Sequence, residues 1–115
     1  MDKQKQAQKY LHTYRSLKER INYSEIVLAR LTADSSPGAR KEILAIHKKI
    51  REWSELCLEI DRQIDTLPAL EKAILRHRYI FFEPWDKICE KLSLDQNQVR
   101  DTHQRALRLI GHNLK

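Results

Sequence analysis

Residues 85–107 read WDKICEKLSLDQNQVRDTHQRAL, and this stretch decides the fold. Its apolar positions alternate at helical spacing up to Leu92, pause at Ser93-Leu94, and resume at Val99 with the same period. Pro84 opens a short helix through Leu92, with Trp85, Ile88, Cys89 and Leu92 facing inward. Ser93-Leu94 is a tight turn. Asp95 caps a last helix that is expected to run to about Ile110, where Gly111 stops it. The spacing is that of a helix-turn-helix: small Cys89 where two helices cross, a turn residue at Ser93, and apolar plugs at Leu94 and Val99. The first helix and the turn would hold the second at a fixed angle, so that its free side can enter the ~12 Å major groove of duplex DNA.

Val99, His103, Ala106 and Ile110 turned inward leave Gln96, Asn97, Arg100, Asp101 and Gln104 on the opposite face. These are base-reading residue types. Gln and Asn suit adenine, Arg suits guanine, and Asp accepts from cytosine. Lys87, Lys91, Arg105 and Arg108 flank them as candidates to neutralise phosphates. Asp86, Glu90 and Asp101 lie near the same surface and would repel phosphate. The plain alternative is a solvated polar helix face. His103 is expected to brace the last helix rather than read a base, and Trp53 and Trp85 to be core.

Upstream, Leu70, Ala73, Ile74, His77 and Tyr79 give a helix at 68–80 an apolar stripe. Leu67-Pro68 separates it from what precedes, and Thr66 is a plausible N-cap. Phe81-Phe82-Glu83-Pro84 breaks it, and the two phenylalanines are expected to pack under the N-terminal part; the alternative is an exposed docking patch. Residues 39–65 form a long helix with a coiled-coil seam: Ile43, Ile50, Cys57 and Ile64 at one heptad position, Ile46, Trp53 and Ile60 at the other. Before it, residues 33–39 concentrate breakers. Residues 4–32 carry Ala7, Tyr10, Tyr14, Leu17, Ile21, Leu28 and Leu31 on a matching seam, with Ser24 its polar interruption. Two helices of equal length around a short loop predict an antiparallel hairpin. Such a hairpin buries too little alone and must pack on the C-terminal part, on another copy, or on a partner. The expected fold is all-α, with a long helical hairpin at 1–66 and a three-helix helix-turn-helix domain at 67–115.

Composition agrees. Two glycines and three prolines in 115 residues argue against β-sandwiches and against glycine-built phosphate cradles. The net charge of +6 favours a polyanionic partner. It is unevenly spread: residues 1–51 hold 12 basic against 5 acidic side chains, 52–65 hold 1 against 5, and 96–115 hold 4 against 1. Cys57 and Cys89 are too few and too far apart for a zinc site or disulfide framework, and read as reduced core residues. The five histidines show no metal-ligand spacing, no cofactor is expected, and no nucleophile–base set suggests an enzyme. The opening MDKQKQAQKY lacks the apolar core of a secretory signal, so the expected compartment is the cytoplasm.

The segment Leu67–Ile110 resembles the promoter-reading C-terminal domain (region 4) of bacterial sigma factors. The resemblance rests on Arg78-Tyr79, on Trp85 through Leu92, and on Val99 through Leu107 with its His-x-Arg-Ala-Leu run. It is closest to small phage-encoded proteins of the ArpU and RinA type, which join a helical hairpin to such a helix-turn-helix. It implies a phage or prophage transcriptional regulator in a bacterial cell, with double-stranded DNA as partner; a Phe81–Phe82 docking patch, the alternative to their burial, would take RNA polymerase or a second copy. Three departures stand out. The family loop usually has glycine near Phe82 and a serine before the tryptophan, where this chain has Pro84. The turn glycine is Ser93 here, which must then tolerate a left-handed backbone. Thr102 stands where sigma domains use a large apolar residue.

Two functions follow. One is a sequence-specific duplex-DNA regulator. The other is a structural or interaction protein, in which the hairpin assembles a homo-oligomer or grips a partner; a phage assembly factor such as a small terminase subunit is a variant.

Overall fold

The computed structural model describes residues 2–34 and 36–114. Among them the chain is all-helical, with five α-helices and no strand: α1 (Lys3–Leu31), α2 (Pro37–Asp65), α3 (Ala69–Leu75), α4 (Trp85–Leu92) and α5 (Gln96–Asn113). No helix among the described residues is long and apolar enough to cross a membrane.

The helix ends have local causes. Asp2 caps α1, its carboxylate accepting from the Gln4 amide at 2.8 Å. Ser36 caps α2 through the Ala39 amide at 3.2 Å, and Pro37 fills the first helical position, where no amide is missed. α2 therefore starts two residues before the expected 39. Thr66 is not the N-cap of α3. It closes α2, and its hydroxyl donates to the Gln63 carbonyl at 2.7 Å. α3 starts behind Pro68 with no side-chain cap. The expected helix at 68–80 changes pitch after Leu75: Arg76–Ile80 form a π-helical turn, with Phe81 N donating to Arg76 O at 2.9 Å. The wider turn lets Tyr79 reach the core (3% exposed) while His77 swings out to Glu83. Leu70, expected in the apolar stripe, is exposed.

α1 and α2 are about 43 Å long each at 1.5 Å per residue. They pack along one another through Tyr14, Leu17, Ile21, Cys57, Ile60 and Ile64. Burial pushes the Cys57 thiol above its ordinary pKa, which keeps it an inert apolar group. The same core continues across residue 66 into Leu67, Leu75, Tyr79, Ala106, Leu107 and Ile110. α1 is the shared wall: it packs on α2 and also along α5. A second, smaller core of Ile74, Ile88 and Val99, lined by Trp85, Cys89, Leu92 and Leu94, joins α3, α4 and α5. Arg76 ties the C-terminal helices to α2 by bonding Asp61 at 2.9 Å and Asp65. The hydrogen bond to Arg76 holds the Asp65 carboxyl below its usual range.

Gly111 does not end α5, which runs to Asn113. It is buried against α1, and a Cβ built there would lie 2.7 Å from the Lys3 carbonyl oxygen. The residue is glycine because two backbones meet at that point. At the other end of the molecule nothing among the described residues covers the α1–α2 pair. There Leu28, Leu31, Ile43, Ile46, Ile50 and Trp53 are only half-buried, and Tyr23 and Leu44 are about 70% exposed. The molecule measures 57 × 32 × 22 Å.

Candidate nucleic-acid interface

The link between α4 and α5 is fixed by two interlocking caps. Ser93 adopts φ 55°, ψ 42°, the left-handed conformation that its place in the sequence requires. The Leu94 amide donates to Cys89 O at 3.0 Å and the Ser93 amide to Glu90 O at 3.3 Å, which is the Schellman arrangement. Asp95 then starts α5 with a capping box: its carboxylate accepts from Gln98 N at 2.8 Å, and Gln98 Oε1 accepts from Asp95 N at 3.0 Å. With both ends capped and Leu94 in the small core, the angle between the helices is fixed.

All five base-reading candidates on α5 (Gln96, Asn97, Arg100, Asp101 and Gln104) are exposed. Arg100 Nη2 donates to Asn97 Oδ1 at 2.9 Å, and its Nε lies 4.0 Å from Asp101 Oδ1. These three side chains form a connected donor and acceptor set. The four phosphate candidates, Lys87, Lys91, Arg105 and Arg108, are exposed too, but not equally free. Lys91 pairs with Glu83 at 2.5 Å, and Arg105 donates to the Thr102 hydroxyl at 3.1 Å. That bond gives buried Thr102 its polar partner, where a large apolar residue would have needed none.

Beneath this face the core is polar at one point. His103 is 9% exposed, and its Nε2 is hydrogen-bonded to the Tyr79 hydroxyl at 2.8 Å. Its ring stacks on Tyr79 and meets the Trp85 ring edge-on at 4.8 Å between centroids. Burial, with the nearby charges of Arg78 and His12, pushes the imidazole pKa down to about 4. A neutral ring can accept the tyrosine proton. A charged one would have to donate to the tyrosine oxygen instead and would hold its charge in a buried site.

The loop 81–84 departs from expectation. Phe81 and Phe82 are not buried under the N-terminal helices: they are 60% and 41% exposed, and only Phe82 lies along α1. Phe82 takes φ 57°, a left-handed backbone that bulky side chains rarely adopt, and its ring lies under the Arg15 guanidinium at 5.0 Å. Glu83 stabilises the loop. Its carboxylate bonds Lys91 and the His77 Nδ1, each at 2.5 Å, and both partners hold its pKa below the usual range. Its carbonyl accepts from Arg78 at 3.0 Å.

Gln8 of α1 is a site residue the sequence did not suggest. With Trp85, Cys89, Gln96, Val99, Arg100 and His103 it lines a cleft of about 440 Å³ beside the α5 face. No signal in the chain marks this position, because it is set by the packing of α1 on α5. Among the described residues no group of three His, Cys, Asp or Glu side chains is placed to hold a metal ion. No protein family, curated protein or solved structure matches the chain.

Proposed function

We propose that the chain is a sequence-specific double-stranded DNA-binding protein that reads the major groove with the N-terminal half of α5. In this reading α3, α4 and α5 are a sigma region 4-like helix-turn-helix, α1 and α2 a helical hairpin that supports it, and the protein a phage-type transcriptional regulator. The observation that carries it is the exposed set Gln96, Asn97, Arg100, Asp101 and Gln104 on a helix whose start is fixed by two adjoining caps. Base readout needs that combination: exposed polar groups on a backbone held in place. A second support is the backbone. Among the described residues the two non-glycine residues with positive φ are Ser93, at the turn glycine of the resembling domains, and Phe82, near their loop glycine.

Selection of bound duplexes from a random library tests the proposal. Enrichment of a motif is the expected result. On the selected site Arg100→Ala should cost ~1–3 kcal/mol and relax one base position, whereas Arg108→Ala should weaken selected and random duplex alike. Equal losses for both variants on both duplexes would rule out base readout by Arg100.

A second reading makes the far end of α1–α2 an assembly element. The exposure of Tyr23, Ile26 and Leu44 beside a half-buried seam favours it. Joined to the first reading, it gives a dimer and two half-sites. Sedimentation at micromolar concentration distinguishes monomer from dimer directly.

A further inference from the structure

We propose that the first three turns of α1 form a second DNA-contacting element: Lys5 and Lys9 seat on the sugar-phosphate backbone bordering the groove that α5 reads. The inference rests on the α5 reading and extends it to a surface 90 residues away in sequence.

Lys5, Gln8, Lys9 and His12 recur at i, i+3, i+4 and i+7, so they form one stripe of α1, and all four are exposed. The stripe is located relative to α5 at three points. At its start, the Lys3 backbone abuts Gly111. In the middle, Gln8 shares the cleft of Gln96 and Arg100. At its end, the His12 ring meets Tyr79, which holds His103. Gln8 thus borders the readout face, while Lys3 and His12 fix the ends of the stripe against the buried side of α5. A further cavity joins the two helices where Lys3 and Gln4 meet Arg105, Arg108 and His112.

Dimensions then assign the target. The major groove is ~12 Å wide and a helix with its side chains ~10–12 Å across, so α5 alone fills it. A helix packed against α5, at an interaxial distance of ~8–10 Å, cannot enter with it, and where α1 borders the readout face, at Gln8, the flanking phosphates are the nearest DNA groups. The chemistry of the stripe fits that position. Between residues 3 and 18 every charged side chain is basic, and Asp2, the one acid before Glu19, is engaged in capping Gln4. Among the described residues no carboxylate pairs with Lys5 or Lys9. Lysine and glutamine are phosphate-positioning residues, so the contact should add affinity without adding sequence preference.

The test compares salt dependence for the full chain, Lys5→Gln/Lys9→Gln, and a control, Lys48→Gln/Lys49→Gln, which removes equal charge from α2. Binding to the selected duplex and to a random duplex is measured by fluorescence anisotropy across 0.05–0.3 M salt, roughly the range over which phosphate contacts dominate. Loss of two phosphate contacts should lower the slope of log K against log salt by about 1.8 and weaken binding by ~10–50-fold at 0.15 M. The loss should be equal on both duplexes, with the order of preferred bases unchanged and the control unaffected. An unchanged slope in the α1 variant, while the unaltered chain binds its site, overturns the inference and leaves the α5 reading standing. An equal fall in the control also overturns it, because net charge alone would then be responsible. Absence of duplex binding by the unaltered chain at low salt overturns both. Thermal unfolding of each variant establishes that the exposed substitutions leave the fold intact.

Discussion

Acidification should destabilise the fold through His103 well before the carboxylates titrate. The imidazole is buried between Tyr79 and Trp85, and its pKa is held near 4 against an ordinary 6.5. The sign follows from proton counting. Between those values the unfolded chain binds a proton at this residue and the folded chain does not, so stability falls as pH falls. The contribution is fully present above about pH 7 and is lost progressively as the pH drops toward 4. A shift of this size corresponds to roughly 3 kcal/mol over the whole window, of which about 2 kcal/mol should disappear between pH 7 and pH 5. The lowered carboxyls of Asp65 and Glu83 add stability that is lost only lower, as the pH falls through their folded-state values. Restricting the measurement to pH 5–7 therefore leaves those carboxyls out, and comparison with a His103 variant separates this histidine from the other four. The assay is urea unfolding at half-unit pH steps for the natural chain and for His103→Gln, whose amide oxygen can still accept from Tyr79 but cannot titrate. The natural chain should lose about 2 kcal/mol more than the variant across that range. Parallel pH profiles would refute the assignment of the acid sensitivity to His103.

Two backbone predictions concern single residues. Ser93→Gly should stabilise the fold by ~0.5–1 kcal/mol, because the left-handed turn at φ 55° costs serine energy that glycine does not spend; urea midpoints read this directly. Gly111→Ala should destabilise by ~1–3 kcal/mol despite alanine's better helix propensity, because its Cβ would sit 2.7 Å from the Lys3 carbonyl. An unchanged or raised melting temperature for Gly111→Ala would show that α1 yields at no cost.

The Ser93 region was legible in the sequence because its determinants are local. The left-handed turn, the Asp95 cap and the inward set Val99, His103, Ala106 and Ile110 depend on residues within one or two helical turns. The long seams of α1 and α2 were legible in part: Ala7, Tyr14, Leu17, Ile21, Cys57, Ile60 and Ile64 are buried as a 3.5-residue repeat predicts. Fully buried Leu11 was not on the expected seam, and Leu28, Leu31, Ile43, Ile46, Ile50 and Trp53 are only half-buried. The misreadings share a different origin. Gly111 was taken as a stop because glycine ends isolated helices, but its backbone is needed against Lys3, over 100 residues away. Thr66 suits an N-cap by type, yet the chain direction gives its hydroxyl to Gln63. Phe81 and Phe82 were expected to be buried because they are apolar, and the π-helical turn before them sends the chain outward instead.

The sequence by itself determined that the chain is helical, where most helices begin and end, and which face of α5 is free. These follow from side-chain period and capping chemistry, which act over a few residues. Tertiary structure alone decided that α1 is wall to both cores' neighbours, packing on α2 and α5 together, that Gln8 borders the α5 face, and that His103 is neutral beneath it. Those depend on which distant surfaces meet, and apolar period fixes that a face is buried without fixing what buries it.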